Sequence, residues 1–97
     1  MSILIEAFEE LQKHGFTKSQ VDFSKNWLSK SPRYYSMMKA TGKEPSVDVL
    51  ARLACKLKQR KDLYDGPYVH NMPQITNWLN PLTQKVWTEF YQQSLNL

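Results

Sequence analysis

Apolar residues recur every three or four positions along most of the chain, which is the spacing of amphipathic helices. In residues 3–14, Leu4, Phe8 and Leu11 fall on one side, with glutamates early in the segment and basic residues at its end. This charge order suits the helix dipole. Gly15 follows at a position where glycine commonly terminates a helix. The pattern therefore predicts a first helix over residues 3–14.

Polar residues with capping character separate the remaining periodic segments. Ser31-Pro32 and Asn80-Pro81 each have the form of an N-cap followed by proline at the first helical position, and Ser46 is a third candidate cap. Residues 62–73 carry turn signals. We expect helices over residues 19–28, 31–40, 47–58 and 81–94, with a short helical stretch around 74–79. No segment has the alternation of a strand, so the sequence predicts an all-α domain of five to six helices with an aromatic C-terminal helix.

The composition narrows the classes of function. One cysteine, Cys55, excludes an internal disulfide, and with His14 and His70 far apart no zinc site is recognisable. Neither histidine is spaced to pair with a nucleophile or a carboxylate, so we expect no catalytic residues, no cofactor and no enzyme. No apolar run reaches the length of a membrane span, and the N-terminus turns acidic too early for a signal peptide. These features predict a cytoplasmic protein without membrane contact.

Charge is distributed unevenly along the 97 residues. The net charge is +4, but residues 18–61 contain eleven Lys or Arg against three Asp or Glu, while the rest of the chain is acidic. A basic segment between acidic flanks is typical of a surface that binds phosphates. The alternative is a set of solvated lysines that serve solubility alone.

The basic segment also contains a candidate helix-turn-helix. In "FSKNWLSKSPRYYSMMK", residues 23–39, a polar break separates two short helices. In a helix-turn-helix the second helix lies in the DNA major groove while the first crosses the backbone. Helical spacing directs Trp27, Tyr35 and Met38 to the core and Arg33 outward. The stretch therefore has one face for packing and another for binding.

Residues 4–58 resemble the lambda-repressor-like, Xre-type helix-turn-helix family. The resemblance depends on a series of short motifs in the order of that family: Ser19-Gln20, Phe23-Ser24, Leu28-Ser29, Ser31, Tyr35, Gly42, Pro45-Ser46 and residues 50–54. Ser29 stands where the family usually has the turn glycine. One additional residue lies between Phe23 and Leu28, which predicts a longer second helix or a distorted turn.

The resemblance implies a DNA-binding transcriptional regulator, expected to be a repressor that binds a palindromic operator as a homodimer with residues 31–40 in the major groove. It divides the chain into a helix-turn-helix core, residues 1–60, and a C-terminal extension of the same domain, residues 61–97. Candidate DNA contacts are Lys18, Ser19, Gln20, Lys30, Ser31, Arg33, Tyr34, Ser36, Met37, Lys39 and Lys43. Candidate dimer contacts are Trp78, Val86, Trp87, Phe90 and Tyr91.

Each of these assignments has an alternative. Arg33 suits the O6 and N7 atoms of guanine, but it is equally a phosphate contact or a solvated charge. The C-terminal aromatics complete a core as readily as they form an interface. The whole chain also fits a protein-binding adaptor on the same fold, such as an antiactivator or antitoxin, which would hold its partner through those aromatics. A third alternative is RNA binding.

Overall fold

The computed structural model describes residues 3–65 and 73–95, which form five helices and no strand. Helix α1 is Ile3–Lys13, α3 is Tyr34–Thr41, α4 is Val47–Asp65 and α5 is Pro73–Leu95. Helix α2 begins as an α-helix, Gln20–Asp22, and continues directly as a π-helix, Phe23–Trp27. The all-α prediction is confirmed. The predicted turn between α4 and α5 falls largely on residues 66–72, outside the described residues.

Glycine ends α1 as the sequence predicts. Gly15 has a φ of +79°, and its N–H donates to the Gln12 carbonyl at 3.1 Å. The Phe16 N–H donates to the Leu11 carbonyl at 2.8 Å. This pair of hydrogen bonds is a Schellman motif, in which a left-handed residue lets the chain reverse and satisfies carbonyls at the helix end. The chain is thereby directed from α1 into the start of α2.

The second helix contains a π-helical distortion, Phe23–Trp27. The Leu28 N–H donates to the carbonyl of Phe23 at 3.2 Å, five residues earlier instead of four. A π turn holds one residue more than an α turn. It brings Phe23 and Leu28, five residues apart, to the same side of the helix, and both of these side chains are fully buried.

Helix α3 begins three residues later than predicted. The Tyr34 N–H donates to the Ser31 carbonyl at 3.0 Å, and Arg33, with φ −95° and ψ 1°, precedes the helix without a side-chain cap. These values describe a type I turn, in which proline is favoured at the second position. Pro32 therefore serves the turn, and the prediction that Ser31 caps a helix opened by Pro32 is wrong.

The two C-terminal helices are longer than predicted. Ser46 caps α4 as expected, with its hydroxyl accepting from the Val49 N–H at 3.4 Å. However, α4 continues beyond residue 58, because lysine, glutamine and arginine favour helix even where the apolar stripe ends. Helix α5 is continuous through Pro81, so the two helical segments predicted around Asn80-Pro81 are one helix. Pro81 is exposed and removes only one backbone hydrogen bond.

One core joins all five helices. At its centre, the rings of Phe8, Phe23 and Tyr35 lie 4.7 to 5.5 Å apart, with Trp27 and Met38 also buried as predicted. Helices α4 and α5 form the most extensive helix–helix contact. The predicted division after residue 60 falls inside α4, so the two parts share one helix as well as one core.

Candidate nucleic-acid interface

A buried serine links the two helices of the candidate motif. The Ser24 hydroxyl donates to the Gln20 carbonyl and accepts from the Tyr35 N–H, each at 2.9 Å. The side chain is fully buried. The link satisfies an N–H at the start of α3, where no carbonyl from its own helix is available. Ser24 therefore fixes the position of α3 relative to α2, a role that the sequence signals only through the small residue after Phe23.

The turn between α2 and α3 contains a residue other than glycine in the left-handed backbone conformation. Ser29 has a φ of +56°, a left-handed conformation that a side chain disfavours. The next N–H, from Lys30, donates to the Ser24 carbonyl at 2.9 Å. This bond spans six residues because the preceding turn is a π turn. Ser29 thus adopts the backbone conformation that glycine favours.

A local hydrogen-bond network orders the start of α2. The Ser19 hydroxyl accepts from the Asp22 N–H at 3.1 Å, and the Asp22 carboxylate accepts from the Lys18 N–H at 3.1 Å and the Thr17 hydroxyl at 2.7 Å. The amide of Asn26 also donates to this carboxylate. These bonds, chiefly the one from Thr17, lower the pKa of Asp22. The Ser19–Asp22 bond is the N-cap half of a capping box, while the Asp22 carboxylate accepts from Lys18, one residue before the N-cap.

The outward side of α3 carries no acidic side chain. Arg33, Ser36, Met37 and Lys39 are exposed, and Tyr35 and Met38 face the core, as the helical spacing predicts. Ala40 is exposed on the same side as Met37 and was not among the predicted contacts. Its small side chain gave no chemical signal in the sequence. The exposed side of this helix is therefore basic at Arg33 and Lys39 and otherwise neutral.

Two of the predicted contacts are partly engaged with the start of α4. The Lys30 ammonium lies 3.8 Å from the Asp48 carboxylate and 5.8 Å from the centre of the Tyr34 ring. Asp48 is also 3.4 Å from the Nε of Arg52. Tyr34 is half-buried, and burial first, then the charge of Asp48, raises its pKa. A phosphate at Lys30 would have to compete with Asp48.

The remaining candidate contacts are open at the surface. Lys18, Ser19, Ser31 and Lys43 are exposed, and Gln20 is half-buried at the start of α2. None of these side chains forms an ion pair among the interactions described for residues 3–65 and 73–95.

The basic end of α4 is divided between a structural residue and solvated ones. The guanidinium of Arg60 lies 5.7 Å from the Phe16 ring centre and 5.6 Å from that of Trp27. Cations over aromatic faces are attracted by the ring quadrupole. Lys56 and Lys58 are exposed. Arg60 therefore connects α4 to α2 and to the segment after α1.

The C-terminal aromatics divide between core and surface. Val86 is fully buried, so its predicted place in a dimer interface is wrong: the helical apolar pattern is the same for a core residue as for an interface residue. Trp78 is half-buried and stacks on His14, with ring centres 4.1 Å apart. Trp87 and Phe90 are half-buried, and Tyr91 is exposed; neighbouring ring centres among these three are 5.6 to 5.7 Å apart. These three rings form one surface patch, the α5 aromatic patch.

Over residues 3–65 and 73–95, no helix combines the length and apolar character needed to span a membrane.

Comparison with known proteins identifies a family for this chain. No curated protein and no solved structure matches the chain. A family model, described as a family of unknown function, matches residues 4–96. The chain therefore belongs to DUF6626, a family of unknown function.

Proposed function

We propose that this protein is a sequence-specific DNA-binding transcriptional regulator, acting as a repressor, with α3 in the major groove. The observation that carries the proposal is the α2–α3 unit. A buried hydroxyl, Ser24, fixes a short helix against its neighbour, and the outward side of that helix is basic and neutral. This is the arrangement that a groove-reading helix requires, because its outward side chains meet base edges while its partner rests on the backbone.

The surrounding charge supports the same function. Lys18 precedes α2, Lys39 lies in the last turn of α3, and Lys43 follows Gly42 in the loop; all three side chains are exposed. Such cations contact phosphates, fix the protein on the duplex and give binding that weakens with salt. Arg33, exposed immediately before α3, is the side chain best suited to guanine.

Homodimer formation through the α5 aromatic patch is a second part of the proposal. Two copies related by a two-fold axis would present two α3 helices to half-sites about 34 Å apart. Tyr91 is 59% exposed and Leu95, one turn further, is 84% exposed. Exposed apolar groups on consecutive turns favour association with another protein surface.

The same exposed groups favour one alternative function, a protein-binding adaptor on this fold. Leu63 and Val21 are also about half exposed, so apolar surface is not confined to α5. In this alternative the α5 aromatic patch holds a different protein, and the α2–α3 unit has no DNA partner.

Selection of genomic fragments from the source organism with the purified protein separates these functions. We expect a recurrent, two-fold symmetric duplex sequence, and a dimer by light scattering when that duplex is bound. Absence of duplex binding at low salt, together with one stoichiometric protein partner, would establish the adaptor instead. Preference for RNA over duplex DNA of the same sequence would contradict the proposal in a different way.

Substitutions test the assignments within the interface. Arg33→Ala should weaken binding to the selected duplex by about 1–3 kcal/mol and relax specificity at one position. Lys43→Ala should weaken all sequences alike and lower the salt slope by about 1. Lys85→Ala is the matched control, because this lysine pairs with Glu6 at 2.7 Å on the α1–α5 side. Loss of affinity in the control comparable to that of Lys43→Ala would contradict the assigned surface.

A further inference from the structure

The uncharged residues on the outward side of α3 limit the kinds of base that this helix can contact. Arg33, Met37 and Ala40 follow one another at spacings of four and three residues, so they lie along one side of α3. Met37 is 54% exposed in the middle of this row. A solvated helix position more often carries a charged or polar side chain. Met37 and Ala40 thus form a short apolar strip beside the Arg33 guanidinium.

The serine and threonine hydroxyls of α3 donate to the helix backbone and not outward. The Ser36 hydroxyl donates to the Arg33 carbonyl at 3.1 Å, and the Thr41 hydroxyl donates to the Met37 carbonyl at 2.9 Å. Both donors are therefore used by the backbone of the helix itself. Of the side chains on the outward side, Arg33 and Lys39 keep donors available, and the remainder of the surface offers apolar groups.

From this surface we propose that Met37, with Ala40 beside it, contacts thymine 5-methyl groups next to the base that Arg33 reads. This inference rests on the proposed DNA-binding function. In the major groove the thymine methyl is the apolar group of the base edges, and small or apolar side chains are its usual partners. The half-site is therefore a duplex with a thymine adjacent to the guanine that Arg33 contacts.

Replacement of thymine by deoxyuridine tests this inference, because it removes only the methyl group. The probe is the tightest-binding duplex from the fragment selection, synthesised with deoxyuridine at one thymine position at a time. At one or two positions in each half-site, we expect the substitution to weaken binding by about fourfold, the factor for one buried carbon group. Met37→Ala should bind the thymine and deoxyuridine duplexes equally at one of those positions at least, the one that Met37 contacts. Arg33→Ala should keep the difference between them.

Leu63→Ala is the matched control, because it removes a similarly exposed apolar side chain, 54% exposed on α4. It should keep the full difference between thymine and deoxyuridine. Equal binding of wild type to every substituted duplex would overturn the inference while DNA binding stands. A difference that survives in Met37→Ala at every position would also overturn it, because another side chain then contacts the methyl. A protein that binds no duplex at all would instead refute the proposed function.

Discussion

The α2–α3 unit and the α4–α5 pair share one core but are built differently. Helices α4 and α5 are long and form the most extensive helix–helix contact, and their buried residues include Leu53, Leu57, Leu79 and Val86. Helices α2 and α3 are short, and a π turn, a left-handed serine and a buried hydroxyl define their geometry. Short helices gain little stability from their own hydrogen bonds. We therefore expect the α4–α5 pair, the stabilising half, to contribute more of the stability, and the α2–α3 unit, the orienting half, to fix the direction of α3.

The largest expected effect is in the stabilising half. Leu79→Ala removes a fully buried side chain from α5 and should lower the free energy of unfolding by about 2–5 kcal/mol. Urea denaturation followed by tryptophan fluorescence measures the change. Leu95→Ala, on the same helix but 84% exposed, is the control and should change stability by less than about 0.5 kcal/mol. Equal midpoints for the two variants would show that the α4–α5 contact is not the main source of stability.

A smaller effect is expected in the orienting half. Ser24→Ala leaves the Tyr35 N–H without its acceptor and should lower stability by about 1–3 kcal/mol. Because the link also positions α3, the folded variant should bind the selected duplex more weakly than its stability alone explains. Ser36→Ala, the control, removes an exposed hydroxyl from α3 and should unfold like wild type. Unchanged duplex affinity in folded Ser24→Ala would contradict the positioning role.

A substitution in the left-handed turn at Ser29 should raise the stability of the protein. Ser29→Gly should raise the free energy of unfolding by about 1 kcal/mol, since it relieves an unfavourable backbone conformation. Gly42→Ala, at φ +68° with no heavy atom within 4 Å of an added Cβ, should lower it by about the same amount through backbone strain alone. Thermal unfolding of both variants measures the pair. A destabilised Ser29→Gly would show that the serine side chain offsets its own strain.

The smallest expected effect is on how the free energy of unfolding depends on pH. The pKa of Asp22 in the folded protein lies below its ordinary value of 3.8, chiefly through the hydrogen bond from Thr17. A depressed pKa gives stability that is present above the unfolded value and lost as pH falls through the folded value. Wild type should therefore exceed Asp22→Asn in stability most at neutral pH, and the difference should disappear in strong acid. A difference that does not vary with pH would assign the effect to the shape of the side chain.

Features set by one residue's own conformation were predictable from the sequence. Gly15 ends α1 and Ser46 begins α4, because a left-handed glycine or a capping hydroxyl acts on its immediate neighbours. The burial of Trp27 and Tyr35 was also predicted, since helical spacing directs both to one side.

Features that depend on packing were not predictable in the same way. A polar residue before proline predicts a helix start, yet Pro32 lies in a type I turn and Pro81 lies inside a continuous helix. Burial of apolar residues on both sides of Pro81 outweighs the loss of one hydrogen bond there. Val86 was misassigned for a similar reason. Helical periodicity indicates that a residue is buried, but it does not distinguish burial in the core from burial in a dimer interface. The exposed DNA contacts remain predictions, because exposure makes a contact possible without identifying the ligand.

The π turn of α2 has a consequence for how this chain tolerates changes in length. A residue added within an α-helix rotates everything after it by about 100°, which would turn a buried face toward solvent. Here the π turn holds one residue more than an α turn, and the apolar side chains at its two ends, Phe23 and Leu28, are both buried. A turn of this width takes up one residue within a helix without rotating the apolar side chains that follow it.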